Sequence, residues 1–481
     1  MEKSENSSHL NGPANQSRPE VLVDNTSPAV SHLSLEGMHG SVDLPQHDAG
    51  FWKQWKAFVG PAILVSVGYM DPGNWGTDLL GGAQFKYDLL WVVGVASLMA
   101  IFMQVIAARL GVVTGKDLAQ CMRDWYPKWT RVPNWLFCEL AIGACDLAEV
   151  LGSAVALNLL FHIPLLWAVI ITGMDVLLLL ALQRYGMRTI EAIVLLLVAT
   201  MGACYFIEIV VLPQTQPNLL EMGRAMIMPG FRKVGMIYVA VGIIGATVMP
   251  HNLFLHSALV QSRKLQSDEP SIRRGIRFNT IDSVVSLTIA FFLNAAILVL
   301  AAMVFFGKDS VIVPGEGVVV FGADADWIRV AYLTLAPLMG TAAASILFAV
   351  ALLASGQSST ITGTLAGQVV MEGFMHWRIN PWVRRMLTRS LAILPAVIII
   401  GIRGNSSVND LLTLSQVILA LQLPFAMFPL LHLTSSRKRM GKWKIGWFLL
   451  IAGWGSALLI TAMDFYGLPD SIQAAWRVIV G

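Results

Sequence analysis

The chain has 481 residues, 56% of them hydrophobic and 13% charged, with a formal net charge of +3 and a mean hydropathy of +0.65. Such a composition excludes a soluble globular domain and a disordered chain, and successive apolar windows of about 18–22 residues are each long enough to cross a bilayer as a helix. The windows are neither short nor alternating, which excludes a β-barrel, and so small a net charge on a membrane chain gives no reason to expect nucleic acid as a partner.

In chain order, residues 1–50 hold no Phe, Trp or Tyr and are rich in Ser, Asn, Pro and His. They are expected to form a disordered N-terminal tail. Eleven spans are expected after it, near 57–82, 88–110, 132–160, 163–183, 189–212, 234–260, 281–306, 328–355, 387–402, 410–433 and 445–465. The eighth has a polar continuation, "SGQSSTITGTLAGQVV", suited to lining an internal cavity. This divides the chain into a tail (1–50), a ten-helix core (51–433) built from two units at about 51–212 and 234–433, and a final part (434–481). That part holds the basic loop "SSRKRMGKWK", the eleventh helix and a short C-terminal segment from 466 expected to lie at the interface. With the N-terminus inside, the inner loops carry 23 of the 33 lysines and arginines and the outer loops 8. The positive-inside rule then predicts a cytoplasmic N-terminus and an external C-terminus. The absence of an organellar signal suggests a plasma membrane, of bacterial type, and the basic loop is expected to meet anionic lipid.

The first span is interrupted by "DPGN" (Asp71, Pro72, Gly73, Asn74) and the sixth by "MPHN" (Met249, Pro250, His251, Asn252). Pro72 and Pro250 are 178 residues apart, as are Asn74 and Asn252, and each break falls in the first helix of a five-helix unit. An odd number of spans per unit inverts the second relative to the first, and such repeats place substrate and coupling ions at the midplane where broken helices meet. Proline removes a backbone donor and glycine lets the chain unwind, so carbonyls are freed; this is tolerated only where they line a cavity. The half-helix that ends at a break presents its negative end, and a cation is the natural occupant.

The side chains narrow the cation. Asp71 offers a charged oxygen, Asn74 an amide oxygen, Met249 a thioether, and the carbonyl of Ala246 lies one turn before the second break. Sodium, magnesium and calcium make little use of sulfur, so the set points to manganese(II) or iron(II), with cadmium(II) also suited. Alone, Met249 would be packing and Asn74 a helix cap; an intramembrane carboxylate is functional by default. The four cysteines, Cys121, Cys138, Cys145 and Cys204, have no metal-cluster spacing, and Cys138 and Cys145 are expected to be packing residues.

"DPGNWGTDLLGG" and "GATVMPHNLFLHS" resemble the two signature stretches of the Nramp family of proton-coupled divalent metal transporters, and "CDLAEVLGSA" and "LSQVILALQLPFA" extend the resemblance over roughly residues 51–465. It implies an all-α LeuT-type fold of two inverted five-helix repeats with helices 1 and 6 broken, plus an eleventh helix. It implies transport of manganese, iron and cadmium. It implies Asp71, Asn74, the Ala246 carbonyl and Met249 as ligands, Gln416 as a residue that joins when the site occludes, and Asn294 as an asparagine near the site. Members that favour magnesium lack the methionine.

The third span carries Glu139, Asp146 and Glu149, the last two spaced i, i+3 on one helical face. Arg385 and Arg389 reach the cytoplasmic end of the ninth span and are expected to pair with them, giving a proton route. The resemblance supports Asp71, Asp146 and Glu149 as proton-handling groups with a ninth-helix arginine as partner. His251 is assigned to proton coupling or gating; for His256 a buried, hydrogen-bonded imidazole is the favoured expectation, with gating second. Asn252, Gly73, Pro72, Pro250 and Glu139 are expected to surround the site or act in its gate. Asp175 and Asp282 are expected to be ion pairs or caps.

The sequence therefore predicts a proton-coupled symporter working by alternating access, monomeric, with a divalent metal ion as substrate, protons as coupling ion and no resident cofactor. A carrier of the same fold for magnesium, or for an amino acid with sodium, is the alternative; an amino-acid carrier needs a glycine-rich break whose amides meet a carboxylate, and here Asp71 and Met249 occupy the breaks. No nucleophile–base set or open zinc triad suggests an enzyme, and no soluble domain suggests a receptor.

Overall fold

A computed structural model describes residues 34–35, 38–182, 185–211, 216–231, 233, 235–313, 317–321, 327–376, 381–403 and 407–480. The chain enters through α1 (Phe51–Phe58) and α2 (Pro61–Val67), passes a single 3-10 turn (Gly68–Met70) and resumes in α3 (Pro72–Phe85). Proline opens both α2 and α3, at the first helical position, where its missing N–H has no intrahelical bond to lose. Next come α4 (Leu90–Thr114), closed by Gly115 in the left-handed region, and α5 (Leu118–Trp125), opened by a reciprocal capping box between Asp117 and Gln120.

The third span is α6 (Arg131–Phe161), followed by α7 (Leu165–Leu182) and α8 (Met187–Phe206), which runs into a π-helical turn at Ile207–Val211. A short α9 (Leu219–Ile227) precedes the second broken span, α10 (Met236–Thr247) and α11 (Pro250–Leu259). Then follow α12 (Glu269–Val304), an antiparallel pair β1 (Ser310–Val313) and β2 (Gly317–Val320) in which Val311 faces Val319, α13 (Trp327–Met339) and α14 (Ala342–Met375). The chain ends with α15 (Pro381–Arg403), α16 (Ser407–Ser435), α17 (Arg437–Met440) and α18 (Trp447–Val480).

Among the described residues eight helical segments, α10 and α11 taken as one, are by length and composition apolar enough to cross a membrane; α2 with its 3-10 turn, α13 and parts of α7 and α15 are shorter apolar segments. The bundle is held by α14 lying along α6, by α12 against α3 and α4, and by α16 against α6 and α18.

Three expectations are revised. The eighth span does not run from 328: Gly340 takes a left-handed φ of 70° and Thr341 caps a new helix through the Ala343 amide, so α13 is separate and the crossing helix is α14. That helix continues through the polar stretch to Met375, as its composition suggested. The C-terminal segment from 466 is no separate interfacial helix, because α18 continues without interruption past Pro469 to Val480. The end of the N-terminal tail is not loose: residues 34–35 and 38–50 lie against the bundle, while 1–33 and 36–37 fall outside the described residues.

Candidate transport site

The two breaks follow from proline chemistry. Pro72 and Pro250 cannot donate to the carbonyls four residues earlier, those of Gly68 and Ala246, so both helices lose their ladder there. Asp71 is extended (φ −70°, ψ 165°), and so are Val248 (φ −98°, ψ 92°) and Met249 (φ −87°, ψ 124°). Neighbouring spans satisfy the backbone freed at the first break. Asn294 of α12 donates Nδ2 to Tyr69 O at 2.7 Å, and Ser355 of α14 donates Oγ to Met70 O at 2.5 Å. The expectation that Asn294 and the polar part of the eighth span serve this region thus has a concrete form: they hold the unwound turn open.

Asp71 is wholly buried. Its Oδ1 accepts from Asn74 N at 3.0 Å and from Asn74 Nδ2 at 2.8 Å, while Oδ2 has no hydrogen-bond partner. Asn74 Oδ1 accepts from Thr247 Oγ1 at 3.4 Å, so the first break touches the second directly. Met249 is wholly buried beside Ala141, Ala144, Cys145 and Leu419. Gln416 of α16 presses on Gly73: a Cβ built there would lie 1.8 Å from Gln416 Nε2. Its Oε1 has no hydrogen-bond partner. Asn252 fits against Gly68 in the same way, with a would-be Cβ 2.1 Å from its Nδ2. Pro72 is seated on Gly152 of α6, where a Cβ would come within 2.3 Å of the ring.

Among the described residues no three His, Cys, Asp or Glu side chains converge as a metal cage. The donor groups carried by the two breaks and by α16 are the Asp71 carboxylate, the Asn74 and Gln416 amides, the Met249 thioether and the Ala246 carbonyl. Asp71 Oδ2 and Gln416 Oε1 are buried acceptors without hydrogen-bond partners, as are Asn252 Oδ1, Asn294 Oδ1 and Asp78 Oδ2 nearby, and such groups are ones a cation would satisfy.

The carboxylates of the third span form a second centre. Arg389 of α15, buried, brings Nη1 to 3.3 Å from Asp146 Oδ1 and 3.5 Å from Glu149 Oε2. Its Nη2 donates to Thr172 O at 3.5 Å and to Thr360 Oγ1 at 3.3 Å. Glu149 Oε1 accepts from Ser359 Oγ at 2.6 Å and from Cys145 Sγ at 3.3 Å. Cys145 is therefore more than packing: it shares a buried cluster with Met249, and its thiol donates to Glu149. Glu139 stands apart, half-buried and accepting from Trp135 Nε1 at 3.0 Å. The side chains of Arg385 and Asp175 lie outside the described residues.

The two histidines part company. His251 is buried with neither ring nitrogen hydrogen-bonded. His256 is 3.0 Å from Gln104 Oε1 through Nδ1, and Gln104 Nε2 donates to Tyr69 Oη at 2.6 Å, which links α11, α4 and the first break. Asp282 is a cap: its Oδ2 accepts from Gly60 N at 3.2 Å and Ala62 N at 3.0 Å, at the start of α2. Sequence reasoning missed Gln104, Tyr69, Thr247 and Asp78. Asp78 is buried two turns beyond Asp71 on α3, with Oδ2 lacking a hydrogen-bond partner. Its signal was the second carboxylate of "DPGNWGTD".

A sequence profile described as "natural resistance-associated macrophage protein-like" matches residues 62–469. The divalent metal cation transporter MntH of Nostoc sp. is 46% identical over 446 residues, covering 93% of this chain and 98% of its own. Its counterpart in Listeria innocua is 46% identical over 435 residues, covering 90% and 94%. A crystal structure of the Eremococcus coleocola manganese transporter with an aromatic bis-isothiourea compound superposes with a TM-score of 0.82 at 38% identity, covering 92% and 91%. MHP1, a nucleobase–cation symporter, matches in fold alone, with a TM-score of 0.50 at 14% identity over 87% and 92% of the two chains.

Proposed function

This chain belongs to the Nramp family, and we propose that it imports manganese(II), with iron(II) and cadmium(II) as further substrates, in symport with protons. The observation that carries the metal half is the juxtaposition of the two breaks. Buried Asp71 and Asn74 on one and Ala246 and Met249 on the other are joined by the Asn74–Thr247 contact, with Gln416 closing on Gly73. A carboxylate and an amide oxygen serve any divalent cation; the thioether adds affinity for late first-row ions and cadmium and none for calcium or magnesium.

The proton half rests on the Asp146–Glu149–Arg389 centre, buried beside the metal site and connected to it through Cys145. Asp71 serves both halves, holding the metal or a proton. Glu139 continues the carboxylate line toward the N-terminal end of α6, and His251, buried without hydrogen-bond partners, is a gating group beside Met249. In this reading the protein is monomeric and sits in the plasma membrane with its N-terminus in the cytoplasm. Two positive charges moving inward then gain roughly 4.6 kcal/mol per 100 mV of membrane potential.

The test is uptake of manganese(II) into proteoliposomes carrying a metal dye and a pH dye. Wild type is expected to fill and acidify the lumen together, and Asp71→Asn to do neither. Filling without acidification would remove the proton half and leave the metal site standing.

A further inference from the structure

The end of the N-terminal tail runs across the end of the bundle where the chain enters. Gly40 N donates to Gln261 O at 3.1 Å, Val42 N to Ser262 O at 3.0 Å, and Lys264 N to Val42 O at 3.0 Å, making a parallel bridge between Val42 and Arg263. Upstream, Leu35 N donates to Glu372 Oε2 of α14 at 2.8 Å, and Ser34 Oγ accepts from Gln120 of α5 at 3.3 Å. Downstream, Arg274 of α12 donates to Pro45 O at 2.9 Å, and His47 Nε2 lies 3.2 Å from Ser271 Oγ. Leu35 and Val42 are buried. The Asp43–Lys264 ion pair is exposed and contributes little.

The residue bridged to Val42 works in the opposite direction. The Arg263 side chain is fully buried; Nη1 meets Glu191 Oε1 at 2.7 Å, Nη2 donates to Val59 O at 2.7 Å and Nε to Ala57 O at 3.3 Å. Arg188 donates to the same two carbonyls at 2.8 and 2.6 Å. These carbonyls and the two amides held by Asp282 form the joint between α1 and α2. The joint is tight: Gly60 has a φ of 137°, and a Cβ there would lie 2.2 Å from the Glu191 carboxyl carbon. Beyond the joint, α2 leads straight to Asp71.

We infer that residues 38–47 are a positioning strap for transport. By fixing the backbone at Arg263, the strap keeps the guanidinium on the α1–α2 joint and so holds α2, the entry-side half of the first broken span, against the bundle. In the alternating-access cycle proposed above, any movement of that half-helix must break these contacts, so the strap sets how often it moves, whatever ion is carried.

Full-length protein with Val42→Pro loses the amide that donates to Ser262, and Val42→Asp places a charge in the buried side-chain position; Val42→Ala keeps the backbone bonds as a control. The readout is hydrogen exchange resolved at residues 38–47, 57–67 and α4, with manganese uptake kinetics alongside. The strap predicts that both disruptive variants lose protection at 38–47 and exchange roughly tenfold faster at 57–67, equivalent to losing one or two hydrogen bonds. It also predicts that α4 is unchanged and that the maximal uptake rate shifts while the manganese KM holds. Release of 38–47 with 57–67 at the wild-type rate in either variant overturns the inference. So does acceleration that spreads equally to α4, which would make the segment a general stabiliser.

Discussion

Replacing Arg389 by methionine tests the carboxylate centre most severely, because it keeps the volume and removes the only described cation between two buried acids. At 3.3 Å and an effective dielectric of about 20, the Arg389–Asp146 attraction is of order 5 kcal/mol, and the 3.5 Å contact to Glu149 adds a comparable amount. Desolvation of the guanidinium and the acids offsets most of it, and breaking one side of such a buried arrangement typically costs about 3–5 kcal/mol. Arg389→Met is therefore expected to lower stability by about 3–5 kcal/mol in thermal or denaturant unfolding. Adding Glu149→Gln in the same chain should recover a large part of that loss, because it leaves Asp146 as the one acid of the pair without its cation, while the amide still accepts from Ser359. Transport should separate from stability: the double variant regains its fold and fails to acidify liposomes during manganese uptake. Wild-type stability in Arg389→Met would refute the energetics, and wild-type acidification in the refolded double variant would refute the proton assignment.

Asn294→Ala strands the Tyr69 carbonyl without its donor, for an expected loss of about 1–3 kcal/mol in unfolding free energy; an unchanged unfolding midpoint would show that the turn needs no such support. Gly73→Ala should push the flexible end of Gln416 out of the site and raise the manganese KM several-fold while the protein folds normally, as uptake kinetics and a melting curve would report together. At the cap of α5, burial pushes the Asp117 carboxyl up to about 6, against the pull of hydrogen bonds from Gln120 and Ser34. A carboxyl raised in the folded state binds more protons there than when unfolded, so its contribution to stability falls as pH rises from about 4 to 6. Asp117→Asn keeps the cap and should stabilise the protein at pH 7, with the gain vanishing near pH 4 in paired unfolding curves.

The spans and both breaks were legible in the sequence because their causes are local. Apolar windows set the helices, and Pro72 and Pro250 each abolish a particular hydrogen bond wherever they sit in a helix. Asp146 and Glu149 were legible as a pair because i, i+3 spacing alone puts them on one face. What escaped is what depends on contacts between distant elements. Ser355, Ser359 and Thr360 read only as a polar stretch, since nothing in a single sequence says that one hydroxyl reaches Met70 O, another Glu149 and a third Arg389. Gln104 sits as a lone amide in an apolar helix, and its meaning comes only from Tyr69 and His256 on other spans. The separation of α13 from α14 turns on one left-handed glycine inside an apolar run. The strap was hidden for a related reason: residues 38–47 are too polar to form a core of their own and are held by backbone bonds to a surface the sequence does not reveal.

In the proposed function the paired breaks form a cation site whose thioether separates transition metals from the abundant hard ions. The most direct measurement is manganese(II) uptake into proteoliposomes in excess calcium or magnesium, comparing wild type with Met249→Ala. Wild type is expected to take up manganese undisturbed and to exclude both hard ions, and Met249→Ala to admit or be blocked by them. Wild type carrying magnesium or calcium as readily as manganese, or Met249→Ala discriminating as well as wild type, would contradict it.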